Sequence, residues 1–257
     1  MNSESDMLEF AKKVTLKAGR HILKNLEKVH DVKFKNQGKK KEIVTNVDLE
    51  SENIIISAIK KKYPTHSIWS EEREFEDNKS KYVWVIDPLD GTNNFNFGLS
   101  EFGVCVGLWK NNKPFIGVVN LPKTSELFWA KKGKGAFLNG KKIHVNNKKL
   151  EESLMLLDTN IIKHESLLKK TRKLINNSYK IRTIGACSVN LTHLARGTAS
   201  TIIDLNKKPG DFGAGAIIIT EAGGIITTMD KKPLSLKNND IIATNKKVYN
   251  TVMKLLS

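Results

Sequence analysis

Apolar residues recur at helical spacing in the first stretch of the chain, where Met7, Phe10, Ala11, Val14, Ala18, Ile22 and Leu26 share one face. That stripe predicts an amphipathic helix packed by its apolar side. Gly38 and the lysines around it break the pattern. A second helix is expected from about Asn46, carrying Leu49, Ile55, Ile56 and Ile59 inward. It should stop before Tyr63-Pro64, because proline disfavours helix in the residue ahead of it. From residue 67 the pattern changes to short apolar runs, 67–69, 82–86, 103–108 and 115–119, which read as strands. The links Lys110-Asn111-Asn112-Lys113-Pro114 and Leu138-Asn139-Gly140-Lys141 carry hairpin chemistry, since Asn and Gly tolerate the positive φ of tight turns. An antiparallel sheet is therefore expected in the first half. Beyond about residue 150 strands and helices alternate: strands at 154–157, 181–184, 201–203 and 241–243, and helices at 167–174, 188–196, 211–222 and from 246. Such alternation implies a layered sheet covered by helices on both sides.

Composition narrows the class. With 257 residues, 39% hydrophobic and 27% charged, the chain can bury a substantial core as one domain, 1–257, or as two closely packed halves, 1–148 and 149–257. No apolar run approaches the roughly 18 residues of a spanning helix, and the start Met1-Asn2-Ser3-Glu4-Ser5-Asp6 is polar and acidic, unlike a secretory signal. A cytoplasmic protein with no membrane association is the expectation. Cys105 and Cys187 are the two cysteines, and the histidines are dispersed, so a bound metal would have to be held by carboxylates. The net charge of +16 suits an anionic partner. Arginine occurs only at 20, 73, 172, 182 and 196, and no aromatic residues interleave with the lysine clusters. The positive charge reads as a solvated lysine surface rather than a nucleic-acid face.

Candidate chemistry gathers where the strand Tyr82-Val83-Trp84-Val85-Ile86 runs into Asp87-Pro88-Leu89-Asp90-Gly91-Thr92. Carboxylates at a strand's carboxyl edge can hold cations, and Gly91 lets a backbone approach an anion closely, with the amides of Gly91, Thr92 and Asn93 available to phosphate oxygens. The same run is equally good turn language. Glu71-Glu72, ending the strand that begins at Ile68, adds acids that a neighbouring strand would deliver to the same edge. Asp211 heads the stretch to Gly223-Gly224, where it reads either as a helix cap or as a further ligand.

Taken together and in this order, these pieces resemble the inositol monophosphatase family, which shares its fold with fructose-1,6-bisphosphatases and 3′-phosphonucleotide phosphatases. The likeness covers nearly the whole chain. Trp84 through Phe95 match the family's Trp-x-x-Asp-Pro-hydrophobic-Asp-Gly-Thr-x-Asn-Phe, while Asp211, Ala214, Gly215 and Glu221 to Gly224 match its second signature. The resemblance implies an α+β fold: a layered αβαβα sandwich of the sugar-phosphatase type, with an antiparallel sheet in the N-terminal half and a mixed sheet in the C-terminal half. It implies that Glu71, Asp87, Asp90, Asp211 and the Leu89 carbonyl bind two or three Mg²⁺ ions. Asp48, Glu71 and Thr92 would be catalytic, and Asp90, Gly91 and Thr92 would bind phosphate. Gly185, Ala186, Cys187 and Asp204 would face the substrate's hydroxyls. Two positions depart from the family pattern: Gly210, where tryptophan usually precedes the last ligand, and Asn93, where threonine is common.

The function so implied is Mg²⁺-dependent hydrolysis of a small polyol or sugar phosphate. Myo-inositol 1-phosphate is the first substrate, followed by fructose 1,6-bisphosphate alone or in a dual-specificity enzyme, then a 3′-phosphoadenosine nucleotide. Lithium sensitivity and a homodimer are further expectations from the family. The rival from another class is an RNA-associated binding protein on the same fold.

Overall fold

The structure is a computed structural model describing residues 4–26, 32–37 and 40–256. The expected break at Gly38 and the residues Met1 to Ser3 lie outside the described residues. In chain order the elements are α1 (Glu4–Asn25), β1 (Val32–Gln37), β2 (Lys40–Thr45), α2 (Asn46–Lys62), β3 (Ser67–Ser70), β4 (Tyr82–Asp90), α3 (Thr92–Asn96), β5 (Gly103–Lys110) and β6 (Lys113–Leu121). They continue with β7 (Glu126–Lys131), β8 (Ala136–Leu138), β9 (Lys141–Ile143), β10 (Leu154–Leu157), α4 (Thr159–Lys163), α5 (Glu165–Asn176), β11 (Lys180–Arg182) and α6 (Cys187–Ala195). Last come β12 (Ala199–Leu205), α7 (Pro209–Gly213), α8 (Gly215–Glu221), β13 (Ile225–Thr227), β14 (Asp240–Thr244) and α9 (Tyr249–Leu255).

Among the described residues, β3 to β9 form a seven-stranded sheet in sequence order, and the order β11-β10-β12-β14-β13 makes a five-stranded one. The first is antiparallel from β4 onward, but β3 joins β4 in parallel, Trp69 opposite Val85. The second is mixed, with β10 parallel to β11 and β12 and antiparallel pairs beyond. Helices α1 and α2 cover one face of the large sheet through Ala11, Val14, Ala18, Ile22, Ile55 and Ile59. Helices α6 and α8 fill the space between the sheets, where Leu191, Ala195, Ile217 and Ile218 pack against β-strand residues of both. The outer face of the small sheet is closed by Leu174 of α5 and Val252 and Met253 of α9. This is the layered α+β sandwich the sequence implies.

Strand β4 is apolar without alternation because it is buried on both faces. Val83 and Val85 enter the inter-sheet core, while Trp84 and Ile86 enter the core beneath α1 and α2. Helix α2 starts where Thr45 caps it, Thr45 and Asp48 exchanging side-chain and backbone hydrogen bonds in a capping box.

Several expectations are corrected. Leu49 is exposed, because it sits on the solvent side of α2. The helix expected across 211–222 is divided into α7 and α8 at Ala214, whose own dihedrals stay helical (φ −81°, ψ −44°). Strands β7 and β13 and the antiparallel β1–β2 pair are additions to the expected set. Strand β11 ends at Arg182, short of Ile184, and the last helix begins at Tyr249 rather than Lys246.

Candidate active site

The carboxyl end of β4 is irregular, and the irregularity builds the site. Pairing with β5 slips between Asp87, opposite Cys105, and Asp90, opposite Gly103. Pro88 lies in the slip, where its missing N–H costs the ladder nothing; its carbonyl accepts from Ser51 Oγ at 2.8 Å. Asp87 Oδ1 accepts the Leu89 N–H at 3.0 Å, turning the chain so that both acids face one side. Gly91 takes φ +86°, and a Cβ there would lie 2.8 Å from the Glu101 carbonyl oxygen, so glycine is needed for both backbone conformation and space. Helix α3 starts immediately afterwards.

Other elements bring their acids to this edge. Glu71 follows β3, Asp211 lies in α7, and one carboxylate oxygen from each of Glu71, Asp87 and Asp211 falls within 4.8 Å of the others. Asp90 is held from α6: Ser188 donates its N–H (2.7 Å) and hydroxyl (2.5 Å) to Oδ2, and the Cys187 N–H reaches Oδ1 at 3.2 Å. The Thr92 hydroxyl lies 2.9 Å from both Asp48 Oδ1 and the Leu89 carbonyl, while Asp48 Oδ2 accepts from Thr45 Oγ1 at 2.5 Å. Glu71, Asp87, Leu89, Asp90, Gly91, Thr92 and Asp211 line a cleft of about 740 Å³ together with Asn160, Lys163, His164, Asn206, Lys207 and Lys208, whereas Asp48 is buried behind Thr92 and is not part of the lining.

The electrostatics are those of acids crowded out of water. Burial, then the charges of Glu71, Asp90 and Asp211, pushes Asp87 well above the usual carboxylate range. Burial followed by Glu71 raises Asp211 to about 8. Asp90 is raised by burial, with Ser188 and Lys207 pulling the other way. Asp48 is also raised by burial, against hydrogen bonds from Thr45 and Thr92. Among the described residues Asp87 Oδ2 is buried without any hydrogen-bond partner. An orphaned carboxylate oxygen beside two further carboxylates is a poor anion site and a fitting oxygen cage for a hard divalent cation, which would relieve both the repulsion and the missing bond.

The substrate-facing residues expected from the sequence do not all reach the cleft. Gly185 lines it, at φ +85° with the Asn94 side chain behind it. Ala186 and Cys187 are buried at the start of α6, where Cys187 serves Asp90 through its amide. Asp204 lies beneath the floor: it is 1% exposed and takes both oxygens to the Asn190 amide at 3.1 and 3.2 Å. Its carboxyl is raised to about 6 by burial, opposed by Lys207. Lys207 covers it and pairs with Asp158 Oδ2 at 2.6 Å. Burial works to lower the Lys207 ammonium, but Asp204, Asp211 and Asp158 outweigh it and hold it well above its ordinary value. Lys208 Nζ reaches Glu71 Oε1 at 3.2 Å. Sequence reasoning missed these two lysines and Ser188. The available signal was position, since Lys207-Lys208 stands three residues before the Asp211 ligand candidate, but it was absorbed into the general lysine excess.

An acid-floored cleft between two layered sheets is the mark of a class of phosphate-handling enzymes, and the comparisons agree. Residues 3–257 match the sequence model of the inositol monophosphatase family, and the chain belongs to that family; family and relatives mark it as a phosphatase. It is 33% identical over 256 residues to the Nus factor SuhB of Pseudomonas aeruginosa, covering 96% of this chain and 94% of that one. It is 34% identical over 270 residues to the fructose-1,6-bisphosphatase/inositol-1-monophosphatase of Aquifex aeolicus, covering 99% and 97%. The solved structure of a Thermotoga maritima IMPase superposes with a TM-score of 0.88 at 31% identity, over 98% of this chain and 96% of that one. No helix among the described residues is long and apolar enough to cross a membrane.

Proposed function

We propose that this chain is a cytoplasmic Mg²⁺-dependent phosphomonoesterase acting on a small polyol or sugar phosphate, first myo-inositol 1-phosphate, with its halves 1–148 and 149–257 working as one domain. The observation that carries the reading is the trio of buried Asp87 with half-buried Glu71 and Asp211, one carboxylate oxygen of each within 4.8 Å of the others, with an unpartnered Asp87 oxygen. Glu71, Asp87, Asp90, Asp211 and the Leu89 carbonyl would hold two or three ions. When bound, the cations supply Lewis acidity to the phosphoryl oxygens and ease deprotonation of water.

The chain's own residues do the rest. Thr92 carries one hydroxyl proton; given to the Asp48 carboxylate, it leaves an oxygen lone pair free to accept from an attacking water and orient it. Gly91 and Thr92 offer backbone amides to the phosphate, and Asp90 is oriented by Ser188 and Cys187, whose hydrogen bonds favour its ionised form against burial. Glu71, at the cleft wall, acts with Asp48 and Thr92 as catalytic residue and ligand. Gly185 is the one of the expected hydroxyl-side residues on the wall; Ala186, Cys187 and Asp204 would act on substrate only through the elements they support.

Fructose 1,6-bisphosphate is the second substrate, supported by the Aquifex aeolicus relative's name. The test is phosphate release from inositol 1-phosphate, fructose 1,6-bisphosphate and adenosine 3′,5′-bisphosphate, with and without Mg²⁺ and Li⁺. Release that is independent of Mg²⁺, or absent with every ester, sinks the reading. A second reading, RNA association, is favoured by the Nus factor name of several relatives and the net charge of +16. It requires RNA affinity that falls steeply with salt. A homodimer follows from the family resemblance alone and is checked by light scattering.

A further inference from the structure

Asp211 reaches the acid cluster because α7 lies in direct backbone contact with the seven-stranded sheet. Glycines on both sides make that contact possible. A Cβ on Gly213 would stand 2.6 Å from Val85 Cγ1, one on Gly107 2.9 Å from the Gly213 carbonyl, and one on Gly117 2.1 Å from the Ala214 oxygen. No real side chain fits such gaps, so the helix and sheet are seated atom against atom. A five-residue helix has little cohesion of its own; its place is set by what frames it.

The frame is a pair of indoles. At one end Trp109 Nε1 donates to the Gly213 carbonyl at 3.0 Å. At the other, Gly210 stands next to Asp211, and its backbone is not in the left-handed region, so conformation does not demand glycine. Space does: a Cβ there would lie 2.8 Å from Trp69 Cζ3, 2.8 Å from the Ile86 carbonyl oxygen and 3.2 Å from Asp87 Cβ. Trp69 projects from β3 opposite Val85, on the same face of the sheet as Val85 and Asp87. The tryptophan usual at position 210 in this family is absent, and an indole enters the same neighbourhood from β3 instead. Trp69 is not among the described residues lining the cleft.

We propose that Trp69 is a positioning residue: its indole, packed on Gly210, fixes the α7 turn so that the Asp211 carboxylate stays beside Glu71 and Asp87, and thereby sets the affinity of the site for divalent cation. The inference rests on the metal reading above.

The test is direct Mn²⁺ binding, followed by the electron paramagnetic resonance signal of the free ion, for the unsubstituted chain, Trp69→Phe, Trp69→Ala, Gly210→Ala and Trp129→Ala, each confirmed folded by circular dichroism. Trp129, stacked on Phe137 at 4.1 Å on β7, controls for general loosening. Trp69→Ala and Gly210→Ala are expected to bind Mn²⁺ at least about tenfold more weakly, Trp69→Phe within about threefold, and Trp129→Ala unchanged. At saturating metal, kcat of Trp69→Ala should return to within a few-fold. Should Trp69→Ala fail to fold, Trp69→Phe and Gly210→Ala carry the comparison. Unchanged Mn²⁺ affinity in Trp69→Ala or Gly210→Ala, or an equal loss in Trp129→Ala, overturns the positioning role while leaving the metal site standing. Failure of the unsubstituted chain to bind Mn²⁺ overturns the metal reading, and this inference with it.

Discussion

Replacing Asp211 with asparagine should make the metal-free protein more stable and destroy its response to metal. The folded chain holds the Asp211 carboxyl at about 8 against an ordinary 3.8. Folding therefore opposes ionisation, at about 1.4 kcal/mol per pH unit between those values. The sign follows: below about pH 4 both states carry the proton and nothing is lost, and from there to about pH 8 the unfolded chain ionises while the folded one does not, so stability falls as pH rises. At pH 7 the full interval is an upper bound of roughly 4 kcal/mol. The partial exposure of Asp211 reduces the expected gain to about 1–3 kcal/mol. Asparagine mimics the neutral acid and still accepts the Lys208 N–H that Asp211 takes at 2.5 Å, so the helix cap survives. At roughly 2–4 °C per kcal/mol for a chain of this size, the variant should melt several degrees higher than the parent in EDTA at pH 7.5, and no higher at pH 4. Mg²⁺ at 100 times its Kd should raise the parent by about 2.7 kcal/mol and the variant by far less. Thermal melts followed by circular dichroism, with EDTA and with Mg²⁺, decide it. A variant less stable than the parent in EDTA, or one gaining as much from Mg²⁺, refutes the account of the acid cluster.

Three further outcomes are expected. Thr92→Val removes the hydroxyl beside Asp48 and Leu89 and should lower kcat by about 10²–10³ while keeping Mg²⁺-induced stabilisation; loss of both together would make Thr92 a structural group. Mg²⁺ binding should release protons, because Asp87 and Asp211 are raised in the metal-free state. Its affinity should climb by up to about tenfold per pH unit per proton displaced between pH 6 and 8; calorimetry showing a flat profile contradicts this. Glu52 is buried, with Arg73 Nε at 2.6 Å and Ser70 Oγ at 2.5 Å, while the Arg73 side chain is 46% exposed, so Arg73→Ala should cost about 1–2 kcal/mol in urea unfolding. A change below about 0.5 kcal/mol would show that Glu52 is content with Ser70 alone.

Much of the fold was legible where burial is periodic or continuous. The stripe of α1 and the unbroken apolar run of β4 show in the sequence because each is dictated by how many faces of an element meet a core. Strands β7 and β13 were not, since Glu126, Leu127 and Trp129 of β7 and all three residues of β13 are only half-buried, and a half-covered face imposes no strong pattern. The metal-ligand candidates were readable as types and order, but their convergence was not. That Asp90 is gripped by Ser188, or that Asp211 needs Trp69, depends on contacts between residues roughly a hundred or more positions apart, which no local spacing records.

Asp204 shows why the misplaced residue matters for chemistry as well as position. Read along the chain, it is an acid on a strand and a natural acceptor for a substrate hydroxyl. In the fold it is buried, bonded by the Asn190 amide and held in the field of Lys207, and Lys207 is itself engaged by Asp158. The acid's charge is spent within the protein, and the surface the substrate meets there is ammonium and amide. The cleft thus sets a wall of Asn160, Lys163, Asn206 and Lys207 against a floor of Glu71, Asp87, Asp90 and Asp211. The lysine-rich exterior, with its net +16, draws anions toward the molecule from a distance. At contact range the floor repels a phosphate until its acids are neutralised, by protons or by a cation. Protons silence the carboxylates as bases and ligands, whereas a cation leaves them ionised and gives the phosphate a positive partner. The same crowding that makes these acids weak thus leaves two ways to open the floor to phosphate, and of the two the cation is the one that also supplies a positive partner.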